Sequence, residues 1–305
     1  MKHRLDSFDY IFLSYDEPNA EILYGKLLND VPWVKRVHGV KGFDTAHIAC
    51  ADASDTHFFV TVDGDNELYP EFLNLEIEIN AGQQDHAWTW AGRNNINGLV
   101  YGNGGLKLWS KTFVKNMRSH ENSDDPAKSV EFCWDQKYHD VKGCYSTSHS
   151  NGSPQQAWRS GFREGVKMCL DRGRKPTLQE FEQQVHKRNY DHLCIWQTVG
   201  RDVENGEWAI LGARTGTYMT MLTDWDYTEV QDFDCLNRIW GNVQSCNVES
   251  NSHEHGVRLR QRLGLPIVDL NAEQSAFFKH HYSRAHKNLG TTMTELDVIR
   301  KLEGW

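Results

Sequence analysis

Asp63 and Asp65 are separated by one glycine and follow a nearly unbroken apolar run, Phe58-Phe59-Val60-Thr61-Val62. Two side chains two residues apart in an extended segment point to the same side. Gly64 lets the backbone turn and lets a ligand come close. Two hard oxygen donors converging on one point suit Mg²⁺ or Mn²⁺, which proteins commonly hold through one or two carboxylates plus substrate phosphates. The plain alternative is an acidic turn at the end of a strand. The preceding run favours chemistry, because an apolar segment with β-branched members reads as a central strand of a parallel sheet, buried on both faces. Ligands of open α/β sheets bind beyond the carboxyl ends of such strands.

Other stretches could serve the same site. Gly102, Asn103, Gly104 and Gly105 permit a tight loop and close backbone contact with a ligand. Their spacing fits neither a dinucleotide fingerprint nor a P-loop. The plain alternative is a glycine-rich hairpin in the sheet. In Val130-Glu131-Phe132-Cys133-Trp134-Asp135 the carboxylates are flanked by apolar and aromatic residues. A dry setting raises a carboxylate's pKa and can make it a general base. Asp135 is the first choice and Glu131 the alternative. Arg159 and Arg163 lie four apart on an expected helix, share a face, and could hold a diphosphate or an anionic acceptor. Equally, they could form a solvated basic face. His253-Glu254-His255 and His280-His281 lack metal-site spacing, and among 15 histidines such pairs are expected by chance.

The elements that must position these groups begin with a short strand from Asp9 to Tyr15. The Asp16-Glu17-Pro18-Asn19 turn follows, with Asn19 as helix N-cap, then an amphipathic helix carrying Ile22, Leu23, Leu27 and Leu28. A second strand covers Val34 to Val37. Asp44 caps a helix bearing Ala46, Ala49, Cys50 and Ala53, and the aspartate strand comes next. Strand, helix, strand, helix, strand implies a parallel sheet with right-handed crossovers. Alternation over Phe72 to Ile79 predicts a half-exposed strand. Ser153 or Pro154 starts a strong helix over 155–170. Beyond Thr177 come a charged helix to Tyr190, two strand-like runs (194–200 and 207–212) around an Asn205-Gly206 hairpin turn, and helices over 232–239 and 272–286.

Composition sets the limits. The chain has 305 residues, 39% hydrophobic and 25% charged, enough for a sizeable core. Seven scattered cysteines without Cys-x-x-Cys spacing argue for reduced thiols rather than zinc or disulfides. A net charge of −9 argues against a general grip on nucleic acid, although basic residues concentrate between 158–175 and 253–287. With no membrane-length apolar run and no apolar signal region after Met1-Lys2-His3-Arg4, a cytoplasmic protein without a membrane span is expected.

The order of first strand, Asp16-Glu17 turn, Gly42-x-x-x-Ala46 helix and Asp63-Gly64-Asp65 resembles the nucleotide-binding half of GT-A glycosyltransferases, especially family 2, over about the first 70 residues. The resemblance implies a GT-A-like, Rossmann-related, mostly parallel sheet flanked by helices. Residues 1–176 would form the nucleotide-sugar and metal-binding catalytic domain, and 177–305 a C-terminal α+β extension or acceptor-facing lobe. It further implies a nucleotide-diphosphate sugar donor with Asp16 and Asp44 near the nucleoside, and Asp63 and Asp65 on Mn²⁺ or Mg²⁺. His149 would complete the metal site, 102–105 would shape the acceptor side, and an acidic residue after the glycine-rich stretch would act as base in an inverting enzyme. Asn151-Gly152-Ser153-Pro154 before the arginine helix resembles glycosyltransferases of tailed phages, which implies a host-cytoplasmic enzyme with hydroxymethylated pyrimidines of DNA as an acceptor. A cell-surface glycan acceptor, a nucleotidyltransferase and a non-catalytic sugar-nucleotide-binding module remain alternatives.

Overall fold

A computed structural model of the chain describes residues 1–119 and 136–287. Its strands are β1 (Lys2–Arg4), β2 (Asp9–Ser14), β3 (Lys35–His38), β4 (Phe58–Asp63), β5 (Asn66–Leu68), β6 (Glu76–Glu78), β7 (Ala87–Asn94), β8 (Val100–Ser110) and β9 (Tyr138–Ser148). Its helices are α1 (Ala20–Asp30), α2 (Phe43–Ala53), α3 (Lys111–Asn116), α4 (Pro154–Met168), α5 (Phe181–Gln184), α6 (Lys187–Trp196), α7 (Gly206–Leu222), α8 (Phe233–Val243), α9 (Val248–Leu263) and α10 (Ala272–Lys287). No helix among the described residues is long and apolar enough to cross a membrane. The chain forms two compact units, one of residues 1–94 and 100–149, the other of residues 95–99 and 150–305. The division expected at 176–177 is one of roles, on which compactness does not bear.

The first unit is α/β. Seven strands run in the order β3-β2-β4-β8-β7-β9-β5, and β1 pairs with β6 in a small second sheet. β4 is parallel to β2, as expected, and β2 to β3. On its other side β4 meets β8 antiparallel, β8 meets β7 antiparallel, β7 meets β9 parallel, and β9 meets β5 antiparallel. The sheet is therefore mixed rather than mostly parallel. A strand's apolar pattern reports burial on both faces but not the direction of its neighbours.

Period-two alternation divides the core. Tyr10 and Phe12 of β2, Val60 and Val62 of β4, and Leu106 and Leu108 of β8 pack with Ala20, Leu23 and Leu27 of α1. Ile11, Phe59 and Trp109 pack with Cys50 and Ala51 of α2 and with Phe113 and Val114 of α3. Helices thus cover both faces of the parallel half. Asn19 is the N-cap of α1 but makes no capping bond; its amide donates to the His149 carbonyl at 2.9 Å instead. Gly42, not Asp44, caps α2, and Asp44 lies in the first turn. The strand expected over 72–79 shrinks to β6 after a 3₁₀ turn at Pro70–Asn74. Proline at the start of that segment favours the turn.

The described residues of the second unit are helices and turns, with one isolated bridge between Asp171 and Arg174. The α+β extension is corrected: the strand-like runs at 194–200 and 207–212 belong to α6, its exit turn and α7. Leu193, Cys194, Ile195, Trp196, Gln197, Thr198 and Val199 are all buried, and a short all-buried run carries no period that separates helix from strand. Asn205 adopts a left-handed φ of 58° at the N-cap of α7 rather than forming a hairpin turn. α4 and α7 meet through glycines. A Cβ on Gly161 or Gly165 would collide with the backbone of Ala209 or Ala213, and one on Gly212 or Gly216 with that of Trp158 or Phe162. Behind α7, the fully buried Arg214 guanidinium donates to the carbonyls of Gln197 (2.9 Å), Ser252 (2.8 Å) and Val268 (3.0 Å) and to Asp269 (2.6 Å).

Candidate functional site

Three carboxylates gather at the C-terminal ends of the adjacent parallel strands β2 and β4. Asp63 is the last residue of β4, and Asp65 ends the two-residue turn into β5. Glu17 comes from the turn after β2, where its carboxylate accepts the Tyr15 amide at 2.8 Å. A Cβ on Gly64 would lie 2.6 Å from Glu17 Oε2 and 2.9 Å from Ser14 Cβ. Absence of a side chain at 64 is therefore what admits Glu17 between the strand ends.

The electrostatics of the cluster are unresolved within it. Burial pushes the Asp65 carboxyl above its ordinary range, and Asp63 adds to the rise; hydrogen bonds from Asn66 Nδ2 (2.8 Å) and Ser148 Oγ (3.2 Å) offset part of it. Burial likewise raises Glu17, with Asp65 and Asp63 adding repulsion against the relief from backbone amides. Desolvation and like charge both favour the protonated form of a carboxylate. One cation is already present. Lys107, 4% exposed in the middle of β8, places its ammonium 3.1 Å from Asp63 Oδ2. Buried His47 of α2 lies within electrostatic reach of Lys107 and Asp63, and burial lowers its pKa.

The glycine-rich stretch lies inside β8 rather than forming a loop. Residues 102–105 stand opposite Ala91 alone, between the pairs Tyr101↔Gly92 and Leu106↔Trp90, so they form a bulge. Gly102 and Gly105 have φ of 67° and 74°. A Cβ on Gly104 would strike the Gly92 backbone, and one on Gly105 would strike the Asn66 amide. Gly105 therefore makes room for the amide that holds Asp65. The close approach expected of these glycines is to the protein's own Asn66 and Gly92.

The other expected residues divide. His149 is tied to the cluster through its backbone, donating to the Asp65 carbonyl at 2.7 Å, but its Nε2 is 2.9 Å from Glu67 Oε2. Among the described residues no group of three or more His, Cys, Asp or Glu side chains is arranged to hold a metal ion. The donors that fit Mn²⁺ or Mg²⁺ are the Asp63 and Asp65 carboxylates, with Glu17 beside them, and the upward push on the Asp65 and Glu17 carboxyls is the observation that fits a cation there. Asp16 is exposed in the turn after β2, and half-buried Asp44 accepts the Ser119 amide at 3.2 Å. Asp135 and Glu131 lie outside the described residues. Arg159 and Arg163 share a face of α4, in the second unit, with their guanidinium carbons 5.0 and 5.4 Å from the Phe233 ring centroid. His253 and His255 lie on helix α9, two apart and so on different faces; His253 Nδ1 meets Asp269 at 2.8 Å.

Sequence reasoning missed Glu17, Lys107 and Asn66. Glu17 was legible as the second acid of the Asp16-Glu17 turn. Lys107 carries a signal too: it is the one charged residue between apolar Leu106 and Leu108 in a run that reads as a buried strand. Asn66 has no such signal. No family model matches the chain, and no curated protein matches it either.

Proposed function

We propose that the chain is a metal-dependent glycosyltransferase of GT-A type that moves a sugar from a nucleotide-diphosphate donor to a hydroxyl acceptor. The observation that carries this reading is the set of Glu17, Asp63 and Asp65 at neighbouring parallel strand ends, two of them pushed toward protonation. Asp63 and Asp65 would hold Mn²⁺ or Mg²⁺. Such an ion, when bound, neutralises charge on the departing diphosphate. Ser148 and Asn66 fix the Asp65 carboxylate by hydrogen bonds, so its orientation is set before any ligand arrives. Asp16, after β2, and Asp44, after β3, would face the nucleoside. Asp135, or else Glu131, would take the acceptor's proton. A hydroxymethylated pyrimidine of DNA is the first acceptor to test, and a cell-surface glycan the second.

A thermal-shift screen of nucleotide sugars with and without Mn²⁺ tests the donor, since a ligand of the folded state must raise the Tm. The reading expects a Mn²⁺-dependent rise that Asp65→Asn abolishes. Metal-dependent transfer retained by Asp65→Asn would sink it. Release of pyrophosphate instead of a nucleoside diphosphate would identify a nucleotidyltransferase. Salt-sensitive retention on duplex DNA separates the two acceptors.

One observation favours a second reading, that of a non-catalytic sugar-nucleotide-binding module. Lys107 already neutralises Asp63, so the cluster has a built-in counter-charge. Donor binding that ignores EDTA, with no donor turnover at any pH, would establish it.

A further inference from the structure

The Arg214 hub fixes a histidine at the surface of the helical unit. Asp269 gives Oδ1 to the buried Arg214 guanidinium at 2.6 Å and Oδ2 to His253 Nδ1 at 2.8 Å. The Asp269 carboxyl is held at about 2, so near neutrality it only accepts, and the proton of that second bond sits on Nδ1. The exposed imidazole is thereby set in one tautomer and one orientation. Its Nε2 has no hydrogen-bond partner among the described residues.

His253 borders a cavity of about 430 Å³ whose lining residues are all polar: Arg201, Asn247, Glu249, Ser250, His253 and Asp269. They come from the turn after α6, the start of α9 and the segment before α10. Arg201 is only 22% exposed, yet it makes no hydrogen bond among the described residues. Its ion-pair partner Glu249 stands 3.8 Å away, beyond hydrogen-bond distance, with its side chain 81% exposed. Such a pair contributes little. Ser250 precedes His253 by three residues on α9, so the two share a face, and its hydroxyl has no partner among the described residues. Arg201 and Arg260 both act on Arg214 as like charges, while both oxygens of Asp269 are engaged. The surroundings therefore favour an anion.

The chemistry of the lining narrows which anion. A guanidinium fork takes two oxygens of a carboxylate or a phosphate. A carboxylate then has no oxygen left for His253. A phosphomonoester keeps a third one. With a second pKa of about 6, that group carries or sheds a proton near neutrality and can meet Nε2 as donor or as acceptor.

We propose that Arg201, His253 and Ser250 form a binding site for the phosphate of a small phosphomonoester, in the helical unit and independent of the Asp63–Asp65 cluster. Arg201 holds two phosphate oxygens, and His253 and Ser250 bond the third. Asp269 and Arg214 keep the imidazole in place. Glu249, the exposed acid of the lining, works against the anion.

Phenyl phosphate, with benzoate as the carboxylate control, is titrated into the full chain in EDTA and read by calorimetry and thermal shift. Phenyl phosphate should bind at millimolar concentration or below and raise the Tm, and benzoate should bind far more weakly. Arg201→Met should weaken phenyl phosphate about tenfold and His253→Gln about threefold. Glu249→Gln, at an exposed position that leaves folding untouched, should tighten binding about twofold. No binding at millimolar phenyl phosphate, equal binding of benzoate, or undiminished binding in Arg201→Met and His253→Gln overturns the proposal. If neither of those two variants folds, unchanged affinity in Glu249→Gln overturns it. The assay holds neither divalent metal nor nucleotide sugar, so failure of the glycosyltransferase reading leaves its result standing.

Discussion

The strand-end cluster of the first unit and the Arg214 hub of the second both bury charge, with opposite outcomes. Around Arg214 the guanidinium is matched by three carbonyls and a carboxylate. Asp269, bonded to Arg214 and His253, is held down at about 2 against the cost of its burial. Around Asp63 the carboxylates face one another with one lysine among them, and Glu17 and Asp65 are pushed up. Matched buried charge holds a fold in one arrangement. Unmatched buried charge is tolerated where a ligand completes it, which is why perturbed groups concentrate at functional sites. Packing differs in the same way. The first unit fills its core with alternating side chains on two sheet faces, whereas the second brings two helix backbones together through four glycines.

The comparison breaks first at Arg214. Arg214→Met leaves Asp269 and three carbonyls without their donor and should cost about 3–5 kcal/mol by urea unfolding. A loss below about 1 kcal/mol would mean the hub is not structural. Next comes a pair of glycines. Gly165→Ala drives a methyl group into the Ala213 backbone and should destabilise by about 1–3 kcal/mol. Gly25→Ala, in α1 with nothing near its Cβ position, should stabilise by roughly 0.5–1 kcal/mol. If both changes had the same sign, backbone contact would not be what distinguishes the helical unit. Asn19→Ala removes the 2.9 Å bond to the His149 carbonyl, and about 1 kcal/mol should be lost.

The smallest effect is read by sign. In the first unit Glu17 and Asp65 have folded pKa values above their ordinary ones, so between those two limits the folded state binds more protons than the unfolded state. Their contribution to stability therefore grows as pH falls from neutrality toward the ordinary carboxylate range. Asp269 acts in the opposite direction: its contribution is complete above its ordinary pKa and is lost as pH falls through about 2. Metal-free Asp65→Asn should thus melt no lower than the parent at pH 7 and show a flatter Tm profile toward pH 5. A steeper profile would contradict the strain assigned to the cluster.

Much of the first unit was legible in the chain. The apolar run ending at Asp63, the small-residue helix around Ala46 and Cys50, and the Asp16-Glu17 turn stand where alternation and turn chemistry put them. The stretch at 102–105 was legible as a glycine-rich loop or a hairpin in the sheet but not as a bulge within one strand, because glycine announces freedom and not what comes near it. The second unit was harder. Residues 194–199 are buried on all sides, and such a run loses the period that tells helix from strand.

The sequence by itself determined that two acids follow a doubly buried strand, since local hydrophobic pattern and residue type are enough for that. Tertiary structure alone decided the direction of β8 and the arrival of Lys107 beside Asp63. It also decided that Arg214 meets three carbonyls and a carboxylate from distant parts of the chain. These outcomes depend on residues dozens of positions apart meeting in space, and no local pattern encodes which distant charge a buried group will find.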